Sequence, residues 1–211
     1  MSKVTENFQL YLKATESAAI AAAKLRGNGD GKAADKVATE AMRKVLQDSE
    51  VHTRVVIGEG ERDDAPMLYI GEEMGNPQSD LKIDIAVDPL ECTNHCAKDL
   101  PDALSVLAAA PRGALLHAPD TYMDKLCGSS KLIGHIALDN SVEDNLSMAA
   151  KVLQKNTSEL KIIVMDRNRH VDLISKMKDL GVQPILIGDG DVSGGLKAAE
   201  GSVDLLYGIG A

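Results

Sequence analysis

Val4, Phe8, Tyr11, Thr15, Ala18, Ala22 and Leu25 recur at alternating steps of four and three residues. That spacing marks one face of an amphipathic helix. The run Gly27-Asn28-Gly29-Asp30-Gly31 ends it. Residues 34–46 predict a second helix, with Val37, Ala41 and Val45 facing inward. Apolar runs at 55–57 and 83–87 predict strands, and 105–109 and 114–116 predict two more, joined at Pro111-Arg112-Gly113. From about Asn140 the pattern changes. Helices over 142–153, 171–180 and 192–199 alternate with strands over 160–165, 183–187 and 203–206. Such alternation predicts parallel pairing. The chain therefore reads as α/β, with residues 1–133 forming one region and 134–211 a second.

Two of the predicted strands run into acidic turns. The run Ile83-Asp84-Ile85-Ala86-Val87 leads into Asp88-Pro89-Leu90-Glu91-Cys92-Thr93. Pro89 is expected to stop the strand, which delivers Asp88 and Glu91 to its end. A hard divalent cation needs oxygen ligands held in this way. A phosphate needs free backbone N–H groups at a helix start. One segment can supply both, which points to metal-assisted phosphate chemistry. Val55-Val56-Ile57 leads similarly into Gly58-Glu59-Gly60-Glu61-Arg62-Asp63-Asp64. Of Glu59 and Glu61, one is expected to face the ion that Asp88 and Glu91 face. Glu72 and Glu73 read as a solvated helix face.

Composition narrows the function classes. The 211 residues carry 32 acidic and 23 basic side chains, a formal charge of −9, which argues against a nucleic-acid footprint. Trp is absent and Phe occurs once, so the core is aliphatic and base-stacking platforms are not expected. No apolar run is long enough to cross a bilayer, and the N-terminus has no signal-peptide core. Three cysteines at no framework spacing suggest a reducing cytoplasm. The Cys92, His95 and Cys96 group has no fourth partner of fitting spacing and reads as incidental rather than as a soft-metal site. Cys127 reads as a small buried residue.

The segment from Val55 to Glu73, together with Ile83 to Thr93, resembles the class II fructose-1,6-bisphosphatases. Arg62-Asp63-Asp64 is most similar to the cyanobacterial branch, which also hydrolyses sedoheptulose 1,7-bisphosphate. The likeness continues through Ala118 to Met123, Met165 to His170, Asp189 to Asp191 and Tyr207 to Gly210. It implies the layered α/β/α/β/α fold of the lithium-sensitive phosphatases, incomplete at the C-terminus, and two Mn²⁺ or Mg²⁺ ions. By position it implies metal ligation by Asp35, Glu59, Asp88 and Glu91, and a water oriented by Thr93. Asp63 or Glu61 would accept that water's proton. Sugar-phosphate contacts are implied at Glu91, Cys92, Thr93, Tyr122, Arg167, Asn168, Arg169, Asp189, Gly190, Asp191 and Ala211. The resemblance also implies a homo-oligomer acting on a small sugar bisphosphate.

This chain departs from the family pattern in two places. Cys92 stands where the family has glycine, so its side chain either narrows the phosphate pocket or is accommodated at negative φ. The chain ends in a strand and glycine-rich turn, ahead of an Ala-Pro-Glu-Gly segment whose glutamate completes the family's metal site, and so reads as cut short. Two alternatives follow: a homologue that binds metal or sugar phosphate without turnover, and a phosphatase for another small ester such as an inositol phosphate.

Overall fold

The structure is a computed structural model that describes residues 3–60, 67–118 and 121–210. The chain divides into two compact units, Met1–Pro119 and Asp120–Ala211.

In the first unit, helices α1 (Lys3–Glu6), α2 (Phe8–Ala23) and α3 (Gly31–Gln47) accompany a four-stranded sheet. Its order is β2 (Glu73–Met74), β1 (His52–Ile57), β3 (Lys82–Glu91), β4 (Leu104–Pro111). β1 and β3 are parallel and the outer pairs are antiparallel. The α3 helix starts where Asp30 accepts the Ala33 N–H at 3.0 Å, an N-cap. The buried stripe of α2 is Tyr11, Ala14, Ala18 and Ala22, and that of α3 includes Ala34, Ala38, Met42 and Leu46. Small residues on both stripes let the helices and sheet share one core with Val55, Ile83 and Ile85. The inward face of α3 is thus one step round from the expected Val37, Ala41 and Val45, which are only half-buried. Phe8 stands at the rim of the α2 stripe and is 57% exposed.

Three other expectations need correction. Pro89 does not end its strand. β3 continues to Glu91 with a shift of register against β4 between Asp88 and Glu91. Pairing with β1 stops at Ala86, so the missing N–H of Pro89 leaves no gap in that ladder. Residues 114–116 form no strand. Gly113 N–H and Arg112 turn toward Asp84, at 2.6 Å and 3.0 Å, and take the chain off the sheet. Glu72 and Glu73 are not a helix face. Glu73 lies in β2 beside Arg112 (3.1 Å) and His52 (3.3 Å), and Glu72 is buried.

Asp84, 1% exposed, also receives Arg54 at 3.0 Å and 2.9 Å. Burial alone would raise its carboxyl, but Arg54, the Gly113 N–H and Arg112 hold it below the ordinary carboxylate range.

The second unit has the sheet order β5 (Met123–Gly128), β8 (Leu205–Gly210), β6 (Ile162–Met165), β7 (Ile185–Ile187). The β6–β7 and β6–β8 pairs are parallel, as the alternating pattern predicts, and β5–β8 is antiparallel. Helices α5 (Val142–Leu153) and α6 (Val171–Asp179) pack on one face through Leu146, Ala149 and Met177. Helix α7 (Asp191–Glu200) covers Ile163 and Leu206 on the other. A short helix, α4 (Thr93–Ala97), belongs to the first unit.

Two strands were missed in sequence: β2, only two residues long, and β5, whose Met-Asp-Lys-Leu-Cys-Gly does not alternate apolar with polar. β5 pairs with β8 along its whole length and belongs to the second compact unit. β8 runs on through the glycines to Gly210 where a turn was expected. Cys127 is half-buried rather than buried.

Replacing Asp84 with Ala leaves Arg54 and Arg112 without their shared anion, and should lower unfolding free energy in urea by about 3 kcal/mol. The Asp84 carboxyl titrates below its unfolded value. Its stabilisation is therefore complete above the unfolded pKa and lost as pH falls through the folded one, so the gap between wild type and Asp84→Ala should shrink on acidification below about pH 4.

Candidate active site

Four segments of the first unit place the acidic residues. Asp35 lies on the second turn of α3 and is half-buried. The start of α3 rests on α4: a Cβ on Gly31 would lie 3.4 Å from the Thr93 carbonyl. The Gly27 and Gly29 N–H groups donate to the Cys96 and Ala97 carbonyls, each at 2.9 Å. The glycine-rich turn thus ties the Asp35 helix to the segment that follows β3.

Glu59 stands in the turn after β1. Its N–H donates to the Leu68 carbonyl at 3.0 Å, and the Ile70 N–H donates to Gly60. Gly58 must lack a side chain, because a Cβ would collide with the Leu68 carbonyl. The returning segment is anchored by Glu72, which accepts from the Leu68 N–H and, at 2.7 Å, from Arg43 of α3. Sequence reading did not single out Arg43 and Glu72 as partners; a paired Glu-Glu gives no local sign that one carboxylate turns inward.

Asp88 lies near the end of β3, where the Leu90 N–H donates to it at 3.1 Å. Glu91 is the last residue of β3, Cys92 caps α4 and Thr93 is its first residue. The fold brings Asp35, Glu59 and Asp88 into one electrostatic field. Burial, then the charges of Asp35 and Asp88, push the Glu59 carboxyl up from 4.5 to about 7. Burial also raises Asp35.

An all-oxygen set of crowded carboxylates has the donor chemistry of a hard-cation site. Among the described residues no three acidic, His or Cys side chains already converge on one ion position. Glu61 and Asp63 lie outside the described residues.

Cys92 has φ 64° and ψ 50°, the left-handed region, so it is accommodated at positive and not negative φ. Its carbonyl accepts the His95 and Cys96 N–H groups, at 2.8 Å and 3.3 Å. Those of Thr93 and Asn94 are left without a helical partner, as at any helix start. His95 contacts the Pro101 carbonyl at 2.7 Å and the Cys96 thiol contacts the Ala22 carbonyl at 3.6 Å, so the two turn to separate partners.

The second unit gathers the expected sugar-phosphate residues around β8. Arg169 stacks on the Tyr122 ring at 4.7 Å, while its Nε donates to the Ile209 carbonyl at 2.9 Å. Asp191, at the start of α7, pairs with Lys125 of β5 at 2.5 Å. A Cβ on Gly210 would collide with that Asp191 carboxylate. Gly190 has φ 96° and caps α7, and its N–H donates to Asp189 at 3.1 Å. Arg167 is turned to its own neighbour, the Asp166 carbonyl at 3.1 Å, and Asn168 is exposed. Ala211 lies outside the described residues. Lys125 and His170 were not foreseen; each is a single residue whose role depends on a distant strand.

Two mixed sheets with helices, and carboxylates at the ends of two parallel strands, are consistent with the α/β fold of the sugar phosphatases. The chain belongs to the family of bacterial fructose-1,6-bisphosphatases, glpX-encoded, whose model matches residues 6–211. It is 46% identical to the D-fructose 1,6-bisphosphatase class 2/sedoheptulose 1,7-bisphosphatase of Synechococcus sp. (strain JA-3-3Ab), over 95% of this chain and 61% of that protein. The proteins of the same name from Thermosynechococcus vestitus and Synechocystis sp. are each 44% identical over 95% of this chain, and over 61% and 62% of their own lengths. The chain thus spans about three-fifths of these relatives.

Two outcomes are expected. Cys92→Gly should change stability in urea by less than about 1 kcal/mol, because relief of the left-handed strain offsets lost packing and gained unfolded-state freedom. Cys92→Val should cost more than that, a β-branched side chain being the least suited to positive φ. In the metal-free protein Glu59 binds a proton that the unfolded chain does not, between about 4.5 and about 7. Its contribution to stability is therefore present below pH 4.5 and lost as pH rises through 7. Mn²⁺ or Mg²⁺ binding should displace that proton and strengthen with pH up to about 7. Calorimetry in two buffers of different ionisation enthalpy reads the released proton, and Glu59→Gln should abolish it.

Proposed function

We propose that this chain carries the phosphate chemistry of a sugar bisphosphatase. It hydrolyses the 1-phosphate of fructose 1,6-bisphosphate, and the corresponding ester of sedoheptulose 1,7-bisphosphate, to the sugar monophosphate and phosphate. The observation that carries this reading is the convergence of Asp35 and Asp88 on the half-buried Glu59: burial, then those two charges, push its carboxyl up to about 7. The family and the relatives' names support the substrate.

Asp35, Glu59, Asp88 and Glu91 would hold two Mg²⁺ or Mn²⁺ ions, which supply charge for the phosphate oxygens and an activated water. The Thr93 hydroxyl orients that water. Glu61 or Asp63 takes its proton. The Thr93 and Asn94 N–H groups hold the reacting phosphate. In the second unit the Arg169 guanidinium, fixed by Tyr122 and Ile209, binds the remote phosphate through its remaining N–H groups, with Arg167 beside it in sequence. Asp189, Gly190 and Asp191 contact the sugar, with Ala211 at the end of that wall. The protein acts in the cytoplasm, as a homo-oligomer, in gluconeogenesis or the reductive pentose phosphate cycle.

A second reading has a specific observation behind it. Cys92 places a side chain in a left-handed position within the phosphate segment, which favours a homologue that binds sugar phosphate without turning it over.

Phosphate release from fructose 1,6-bisphosphate with Mn²⁺ separates the two. Turnover should fall at least about 100-fold in Glu59→Gln and Asp88→Asn. In Arg169→Ala the KM should rise roughly 10- to 100-fold with kcat little changed. Tight binding of Mn²⁺ and fructose 6-phosphate without release establishes the second reading. Absence of both binding and release from folded protein overturns both.

A further inference from the structure

We infer that His170 is a positioning residue of the sugar-phosphate site, acting through its neutral ring on Ile209 and thereby on Arg169. This rests on the reading of Arg169 as a phosphate ligand given above. His170 is 1% exposed and ends the short 3-10 turn Asn168–His170 that follows β6. Its Nδ1 lies 2.7 Å from the Met165 carbonyl, which can only accept, so Nδ1 carries a proton. Its Nε2 lies 2.8 Å from the Ile209 backbone nitrogen, which can only donate, so Nε2 carries a lone pair. The two backbone partners together define one neutral tautomer.

The position of this bond in the sheet gives it a consequence. β6 pairs with β8 only at Ile162–Leu205 and Ile163–Leu206. Beyond that point side chains replace the strand. The Ile209 N–H is taken by His170 and its carbonyl by Arg169. Consecutive residues thus grip both polar groups of one peptide segment. Gly208 is part of the device, since a Cβ there would lie 3.0 Å from His170 Nε2. The charged groups around the ring belong to several elements. Lys125 of β5 and Asp191 of α7 are paired with each other, Tyr207 of β8 lines the same small cavity, and Arg169 precedes it in the turn. Asp172, in the first turn of α6, is exposed. Without an acceptor at Nε2 the Ile209 N–H has no side-chain partner, the clamp opens, and Arg169 loses the fixed carbonyl that aims it.

Amide exchange and fructose 6-phosphate binding in the full chain test this. Wild type, His170→Gln and His170→Asn are compared. Gln keeps an acceptor at the Nε2 position, and Asn reaches only the Nδ1 position. Ile209 amide protection, corrected for intrinsic exchange, should fall at least about 10-fold from wild type in His170→Asn and less than about 2-fold in His170→Gln. The fructose 6-phosphate dissociation constant should rise about 10-fold in His170→Asn and return to within about 2-fold of wild type in His170→Gln. Equal Ile209 protection, or equally tight fructose 6-phosphate binding, in wild type and His170→Asn overturns the inference. Should His170→Asn not fold, an Ile209 amide in wild type that exchanges as fast as an unbonded one overturns it alone. An Ile209 amide that loses protection in His170→Asn, in protein whose wild type binds no fructose 6-phosphate, overturns the sugar-phosphate reading and leaves the clamp standing.

Discussion

Carboxylates repel, and the first unit places Asp35 and Asp88 within electrostatic reach of Glu59. Asp35 comes from a helix, Glu59 from the turn after one strand and Asp88 from the neighbouring strand. Burial, then the charges of Asp35 and Asp88, push the Glu59 carboxyl up. Such a cluster opposes folding in the absence of cations, so other contacts must hold it. Asp30 caps the Asp35 helix, and Arg43 of that helix reaches Glu72, which ties down the segment packed on the Glu59 turn. The register shift before Glu91 sets the last part of the acidic stretch.

The second unit solves a different problem with the same economy of local rules. It places cations and polar groups beside a strand rich in glycine. Gly208 and Gly210 let β8 pass close to His170 and to the Lys125–Asp191 pair. The flexibility those glycines would bring is removed by side chains: the Asn145 amide on the Tyr207 hydroxyl at 3.2 Å, then His170 and Arg169 on Ile209. A glycine-rich strand end can be well ordered when its polar groups are gripped from outside.

Cys92 takes a left-handed conformation at the start of α4, one that glycine adopts without strain and a residue with a Cβ does not. The 61% coverage of the relatives means that activity must be read from the residues present and their geometry, rather than transferred whole.

Much of this was legible in the sequence, for identifiable reasons. Helix α5 was read to the residue, because a serine cap and a regular apolar stripe are local signals. Parallel pairing in the second unit followed from alternation alone. The acidic segments at the ends of β1 and β3 were visible because carboxylates following an apolar run are a local pattern, though the second lies within its strand. What the sequence could not show was whatever a distant partner decides. β5 is a strand because β8 pairs with it, Glu72 is buried because Arg43 reaches it, and residues 114–116 leave the sheet because Asp84 draws in Arg112 and Gly113. The sign of φ at Cys92 and the fixed tautomer of His170 belong to the same class. Sequence by itself determined the elements and the chemical inventory, through local propensity and periodicity. Tertiary structure decided which charges meet and which backbone groups are held, because those energies depend on distances that only the folded chain sets.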